Sequence, residues 1–266
     1  MGNKGLSLIE LIVVLLISSI LIAAMYTVLL SQQTTYIKQD QAVEMQQTMR
    51  AGMDRMSRDL RMAGYGGDLL KVFGNVNGFS NIITPANGAQ VDSITILFSE
   101  QVATLTQNSA TGSNEVFLSV DNADDFFDTN AKKYLCLNGQ DNYLVQSVAG
   151  NQVTLTTPLH EDHLTHEPVF QVKALTYKIE PNTTNLVCDE NAGAGGQLIA
   201  ENVERLQFQY TLSNGTVVDS PSTPSDIRII TIILEGRTAV ADSKRPGDGY
   251  QRQTLNASVE VRNLAL

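Results

Sequence analysis

MGNKGLSLIELIVVLLISSILIAAMYTVLL, residues 1–30, is a run of lipid-compatible side chains with one carboxylate inside it, Glu10. Residues 6–30 are 25 positions with no Pro, no Gly and no other charge. As a helix they extend about 37 Å at ~1.5 Å per residue, enough to cross a bilayer. Sixteen of the 25 are Leu, Ile or Val. Their summed preference for lipid, roughly 5–10 kcal/mol, exceeds the roughly 2.5–3.5 kcal/mol that one central acid costs. A cleaved secretory signal fits poorly, because its apolar region is about 7–15 residues long and ends in a small-residue site. Here Ser18, Ser19, Ala23 and Ala24 are embedded in continuing apolar sequence. Lys4 and the initiator amine precede the span, which favours a cytoplasmic N-terminus and an exported C-terminal region. A plain anchor would account for the length but would give neither Gly5 nor Glu10 a role.

The pattern Lys4-Gly5, then Leu6-Ser7-Leu8-Ile9-Glu10 and a long apolar stretch, resembles the class III leader of type IV pilins and pseudopilins. The resemblance implies cleavage between Gly5 and Leu6 by a prepilin peptidase on the cytoplasmic face, followed by N-methylation of Leu6. It also implies that Glu10, at the fifth mature position, meets the new amine of a neighbouring subunit. At ~4 Å and an effective dielectric of ~20 such a pair gains about 4 kcal/mol, comparable with the penalty for holding the acid in lipid. Leu6 departs from the Phe that most members carry, but it keeps the first mature residue apolar.

Past Leu30 the sequence stays free of Pro, and only Gly52 weakens a helix before Gly64, Gly66 and Gly67. The helix is therefore expected to run to about residue 63. Met49, Met53, Met56, Leu60 and Ala63 are spaced 4, 3, 4 and 3, an apolar stripe that reads as a seam against the protein's own head. Arg50/Asp54, Asp54/Arg58 and Arg55/Asp59 are i,i+4 pairs on other faces, read as solvated.

After Gly67 the sequence breaks into short alternating runs. The expected strands are 93–98, 115–120, 143–148, 152–157, 169–179, 203–212, 226–234 and 254–263. Leu206, Phe208, Tyr210 and Leu212 share one face of their run, the period of a half-buried antiparallel strand. Ala149-Gly150-Asn151 reads as a hairpin turn. The fold class is therefore α+β, a long N-terminal pilin helix on an antiparallel β-rich head. The expected divisions are 1–5 leader, 6–30 membrane or filament-core half, 31–63 amphipathic half and 64–266 head. The order of runs from 198 to 263 is also similar to PilW-like minor pilins and, more distantly, to J-type pseudopilins of type II secretion.

The resemblance implies a part in pilus assembly or priming, at or near the filament tip. The implied partners are the prepilin peptidase, other minor and major pilins, an inner-membrane assembly platform and membrane lipid. Other readings are a J-type pseudopilin, or a tip adhesin whose residues 68–172 recognise a ligand. The net charge of -10 falls almost entirely on the head, which disfavours broad nucleic-acid binding.

Cys136 and Cys188 have no cysteine near either, which excludes CxxC and Cys-rich metal motifs. In an exported head a disulfide between them is the expectation, and two buried free thiols the alternative. All three histidines, His160, His163 and His166, fall in HEDHLTH; this segment and the acidic Asp121, Asp124, Asp125 and Asp128 invite a metal reading. The acidic run lacks the glycine and distal glutamate of an EF-hand loop and reads as a polar turn followed by a Phe anchor. The histidine segment reads as a solvated loop, so no metal or cofactor is assigned. Sequons at Asn182, Asn214 and Asn256 read as chance matches. There is no GxSxG, HExxH or phosphate-binding glycine loop, and no enzymatic activity is expected.

Overall fold

The computed structural model describes residues 8–89 and 91–264. It begins with one 55-residue helix, α1 (Leu8–Met62), about 82 Å long at ~1.5 Å per residue. Its end is set by backbone chemistry. Gly64, Gly66 and Gly67 have φ of 80°, 121° and 72°, a region that residues with a Cβ rarely enter. The Gly64 N–H leaves the helix and bonds to Leu97 O at 2.8 Å. A short helix, α2 (Leu69–Phe73), follows.

The head holds two sheets whose strand pairs are all antiparallel. The larger has the order β1 (Ile83–Ala86), β2 (Ser93–Thr104), β7 (Pro168–Ile179), β4 (Tyr134–Leu137), β5 (Asp141–Ala149), β6 (Gln152–Leu155) and β3 (Glu115–Phe117). Two more strands, β8 (Leu186–Asp189) and β9 (Gly196–Ala200), branch from the far half of β7. The second sheet has the order β11 (Val217–Val218), β10 (Val203–Leu212), β12 (Ile227–Arg237) and β13 (Arg252–Glu260).

The expected pattern holds where alternation is regular. Leu206, Phe208 and Tyr210 are buried, while Leu212 at the strand end is half-buried. The β5–β6 hairpin turns at Gly150-Asn151, with Ala149 opposite Gln152. The expected segment 115–120 is a strand only as far as Phe117, whereas β2 runs beyond Phe98 to Thr104. The sequence reading missed β1, β4, β8, β9 and the two-residue β11. β4 is buried at all four positions and shows no period of two, and β1 carries Pro85 on a sheet edge, where a missing N–H is tolerated.

The largest apolar core forms where the lower part of α1 meets both sheets. Met45, Met49, Met53, Met56, Leu60 and Ala63 pack with Ile94, Ile96 and Leu175 of the larger sheet. From the second sheet come Leu206, Phe208, Ile230, Ile232 and Leu234. The methionine stripe is thus the seam expected from its spacing.

The expected disulfide is overturned. Cys136 on β4 lies opposite Phe170 of β7, and Cys188 on β8 lies opposite Tyr177 of the same strand. Seven residues along a strand span about 23 Å, against the roughly 4.4–6.8 Å between Cα atoms that a disulfide needs. Seven is also odd, so the two side chains leave opposite faces. Cys136 joins the core under α2 and Cys188 the seam core. Both are buried free thiols.

Candidate functional site

The helix divides by burial rather than by composition. From Leu8 to Asp40 every position except Ser18 is exposed, and the first buried residue is Met45. About 45 Å of helix therefore projects from the head before Lys38 pairs with Asp242. Its apolar portion is long and apolar enough to cross a membrane, with none of the most apolar window buried against the chain. Two polar side chains in this portion bond to the helix backbone: Ser19 Oγ donates to Leu16 O at 2.8 Å and Thr27 Oγ1 to Ala24 O at 2.7 Å. Glu10 is exposed in the first turn, the end at which the helix dipole favours a carboxylate. Gly5 and Leu6 lie outside the described residues. Residues 31–40, the start of the expected amphipathic half, remain exposed but touch the head through Lys38, whose Nζ lies 2.6 Å from Asp242 Oδ2, and burial begins at Gln41.

Below that point the seam is partly polar. Asp59, expected on a solvated face, is half-buried and accepts a hydrogen bond from the Tyr177 hydroxyl. Burial pushes the Asp59 carboxyl above the ordinary carboxylate range, against the lowering effect of that bond and of Arg55. Burial likewise raises the Tyr177 phenol. The projecting helix is thereby joined to the sheet by packing and by a buried hydrogen bond.

The remaining candidates separate. Asp128 caps a turn, its Oδ1 accepting from the N–H groups of Asn130 and Lys132 at 2.7 Å each, and Phe127 is fully buried. That is the expected polar turn with its Phe anchor.

The HEDHLTH segment is not a solvated loop throughout. Residues 158–167 are hydrogen-bonded to 105–113: Ser109 and His163 exchange two backbone hydrogen bonds of 2.9 Å, and Leu159 N reaches Ser113 O at 2.8 Å. Asp162 Oδ1 accepts from Thr111 N and Oγ1 at 2.7 and 2.8 Å, which holds its carboxyl below the usual range. His160 stacks on Tyr143, with centroids 5.7 Å apart.

His163 is 1% exposed, and its Nδ1 is 2.8 Å from Glu167 Oε2. Because the ionised carboxylate only accepts, Nδ1 is the protonated nitrogen. Nε2 is buried with no hydrogen-bond partner. One nitrogen of this ring and one oxygen each from Asp141 and Glu161 lie within 4.8 Å of one another. The three histidines therefore do not converge on one point. Asp141 and Glu167 went unnoticed in the sequence, Asp141 because it arrives from the start of β5 and Glu167 because a lone carboxylate at i+4 carries no signal.

Comparison with known proteins gives a match at the N-terminus: residues 1–26 fit the family described as the prokaryotic N-terminal methylation motif. No curated protein matches the chain. Among solved structures, the chain is similar to a type IV-like pilin from Thermus thermophilus at 9% identity and a TM-score of 0.40, with 82% of this chain and 97% of that one covered.

Proposed function

We propose that this chain is a minor type IV pilin of the PilW-like group, acting in pilus assembly and priming at or near the filament tip. Prepilin peptidase cuts between Gly5 and Leu6, and Leu6 is methylated. The segment 6–30 holds the protein in the bacterial inner membrane with its head exported until the assembly platform passes it into a filament with other pilins. There Glu10 pairs with the amine of a neighbouring subunit, which fixes the axial register. The reading rests on one observation: the methylation motif over residues 1–26 overlaps the start of a helix that is exposed as far as Asp40 and then seated on a head by a buried seam. A bare apolar rod on a firmly attached head is a shape suited to bundling with like helices. The role is mechanical, with no catalytic group required.

Mass spectrometry of the mature protein tests the processing step. The expected chain begins at Leu6 and carries one extra methyl group; a mature chain still beginning at Met1 overturns the reading. Complementation of a deletion strain tests the assembly step. Wild type is expected to restore pili and Glu10→Ala not to; equal restoration removes Glu10 from the mechanism.

A further inference from the structure

The geometry points to a divalent-cation site of the zinc class on the head, formed by Asp141, Glu161 and His163, with Glu167 orienting the histidine. It is independent of the assembly reading. The argument begins with the histidine. Burying an imidazole nitrogen without a partner costs free energy, and His163 Nε2 is in that position. On the other side of the ring, Glu167 Oε2 takes the Nδ1 proton at 2.8 Å while Glu167 Oε1 accepts the Leu164 N–H at 3.0 Å. The carboxylate is thus fixed, the ring is fixed by it, and in the neutral ring the open lone pair is on Nε2. A carboxylate behind a metal-binding histidine holds ring orientation and raises ligand basicity in this way.

The two acids supply the rest. Asp141 and Glu161 each place one carboxylate oxygen within 4.8 Å of the other and of a nitrogen of the His163 ring. Two carboxylate oxygens beside an imidazole whose open nitrogen has no hydrogen-bond partner form an acceptor-rich cluster that a cation would satisfy. Donors within 4.8 Å are slightly wider than a closed site, since bonds of about 2.0–2.2 Å set tetrahedral donors about 3.3–3.6 Å apart. Glu161 is exposed, and rotation of its side chain closes the difference. One imidazole with two carboxylates suits zinc or a similar first-row ion better than the all-oxygen preference of calcium or magnesium. The bound ion would tie the 158–167 loop to the turn that opens β5, leaving at least one position for water.

The experiment is calorimetric titration of Zn²⁺ into the full chain in detergent micelles after chelator treatment, alongside thermal unfolding with and without Zn²⁺. Wild type is expected to bind one equivalent and to unfold at a higher temperature with the ion present. Asp141→Asn and Glu161→Gln each weaken binding by about tenfold or more, and Glu167→Gln by about 10- to 100-fold. His160→Gln and His166→Gln bind as wild type does. Because His163 is buried, its replacement can unfold the head; the exposed Glu161 variant keeps the test independent of folding. Absence of Zn²⁺ binding to wild type, unchanged binding by Asp141→Asn and Glu161→Gln, loss of binding in the His160 or His166 variant, or tighter binding of Ca²⁺ than of Zn²⁺ would each overturn the assignment.

Discussion

The hydroxyl of Tyr177 on β7 donates to the carboxylate of Asp59 near the end of α1, so a side chain from the sheet interior holds an acid on the helix whose other end is the exposed apolar segment. Tyr177 is fully buried and Asp59 half-buried. A hydrogen bond in this position stabilises by setting the helix against the sheet, but it also retains a charge in a place where water is scarce.

That tension predicts a pH dependence. Burial raises the folded-state pKa of Asp59 above its unfolded value. Folding therefore favours the protonated acid: the contribution is fully present below the unfolded value of about 3.9 and is lost as pH rises through the folded value. Asp59→Asn keeps an acceptor for Tyr177 without the charge, so its thermal midpoint is expected to equal or exceed that of wild type at neutral pH and to lose this acid-side slope. Tyr177→Phe removes the donor and is expected to cost about 1–3 kcal/mol at neutral pH and less at pH 4, measured by denaturant unfolding. An identical pH slope in wild type and Asp59→Asn would show that other groups set it.

The cysteines give a second prediction. Burial pushes the Cys136 thiol up to about 12, and the Cys188 thiol is raised for the same reason. The reactive species is the thiolate, so both are expected to resist alkylation at pH 8 in the folded protein and to react fully in denaturant. Reductant should leave the unfolding midpoint unchanged. A reductant-dependent midpoint, or fewer than two thiols in denaturant without reductant, would restore the disulfide.

These cases show what a single sequence makes legible. The exposed half of α1, the methionine seam and β10 could be read because each is local: a run, a spacing of three and four, a period of two. The cysteine geometry is different in kind. It depends on β4 and β8 flanking the two halves of β7, a fact about strand order that neither cysteine's neighbours record. The same holds for Asp141, which reaches His163 only because β5 carries Asp141 and Tyr143 on one face beneath the 158–167 loop. Residues 31–40 show a third limit. Their polar pattern permits a helix on the head or one beside it, and only the tertiary contacts decide: the Lys38–Asp242 ion pair and the burial that begins at Gln41.

Gly52 is the one weak helix former within the packed half, and the structure predicts its tolerance. A Cβ there would stand 3.4 Å from Leu186, 3.5 Å from Ala200 and 3.5 Å from Ile199, ordinary contact rather than overlap. Ala also loses less backbone entropy on folding than Gly. Gly52→Ala is therefore expected to stabilise by about 0.5–1 kcal/mol, and Gly52→Leu to cost about 1–3 kcal/mol by overpacking against β8 and β9. Denaturant midpoints of the two variants check the sign; destabilisation by Ala would mean that α1 approaches these strands more closely than the structure shows.

The seam is closely packed where Met49 meets Gly236 on β12. Met49 is fully buried, and a Cβ built at Gly236 would fall 2.5 Å from its sulfur and 3.3 Å from the Asn202 carbonyl oxygen. The glycine thus leaves the space that the methionine fills. Met49→Ala is expected to cost about 2–5 kcal/mol through lost burial and the cavity left behind. Gly236→Ala is expected to cost about 1–3 kcal/mol, because the sulfur must move within a packed core. Made together, the two should be less damaging than their sum, since the new methyl then enters space already vacated; contacting residues commonly couple by about 0.5–3 kcal/mol. The cost that Gly236→Ala retains in the Met49→Ala background reports the Asn202 carbonyl, which does not move with the methionine. Strict additivity across the four proteins would show that the glycine is required for strand geometry at the end of β12 and not for helix contact, and the packing account of the seam would have to be rebuilt around the second sheet alone.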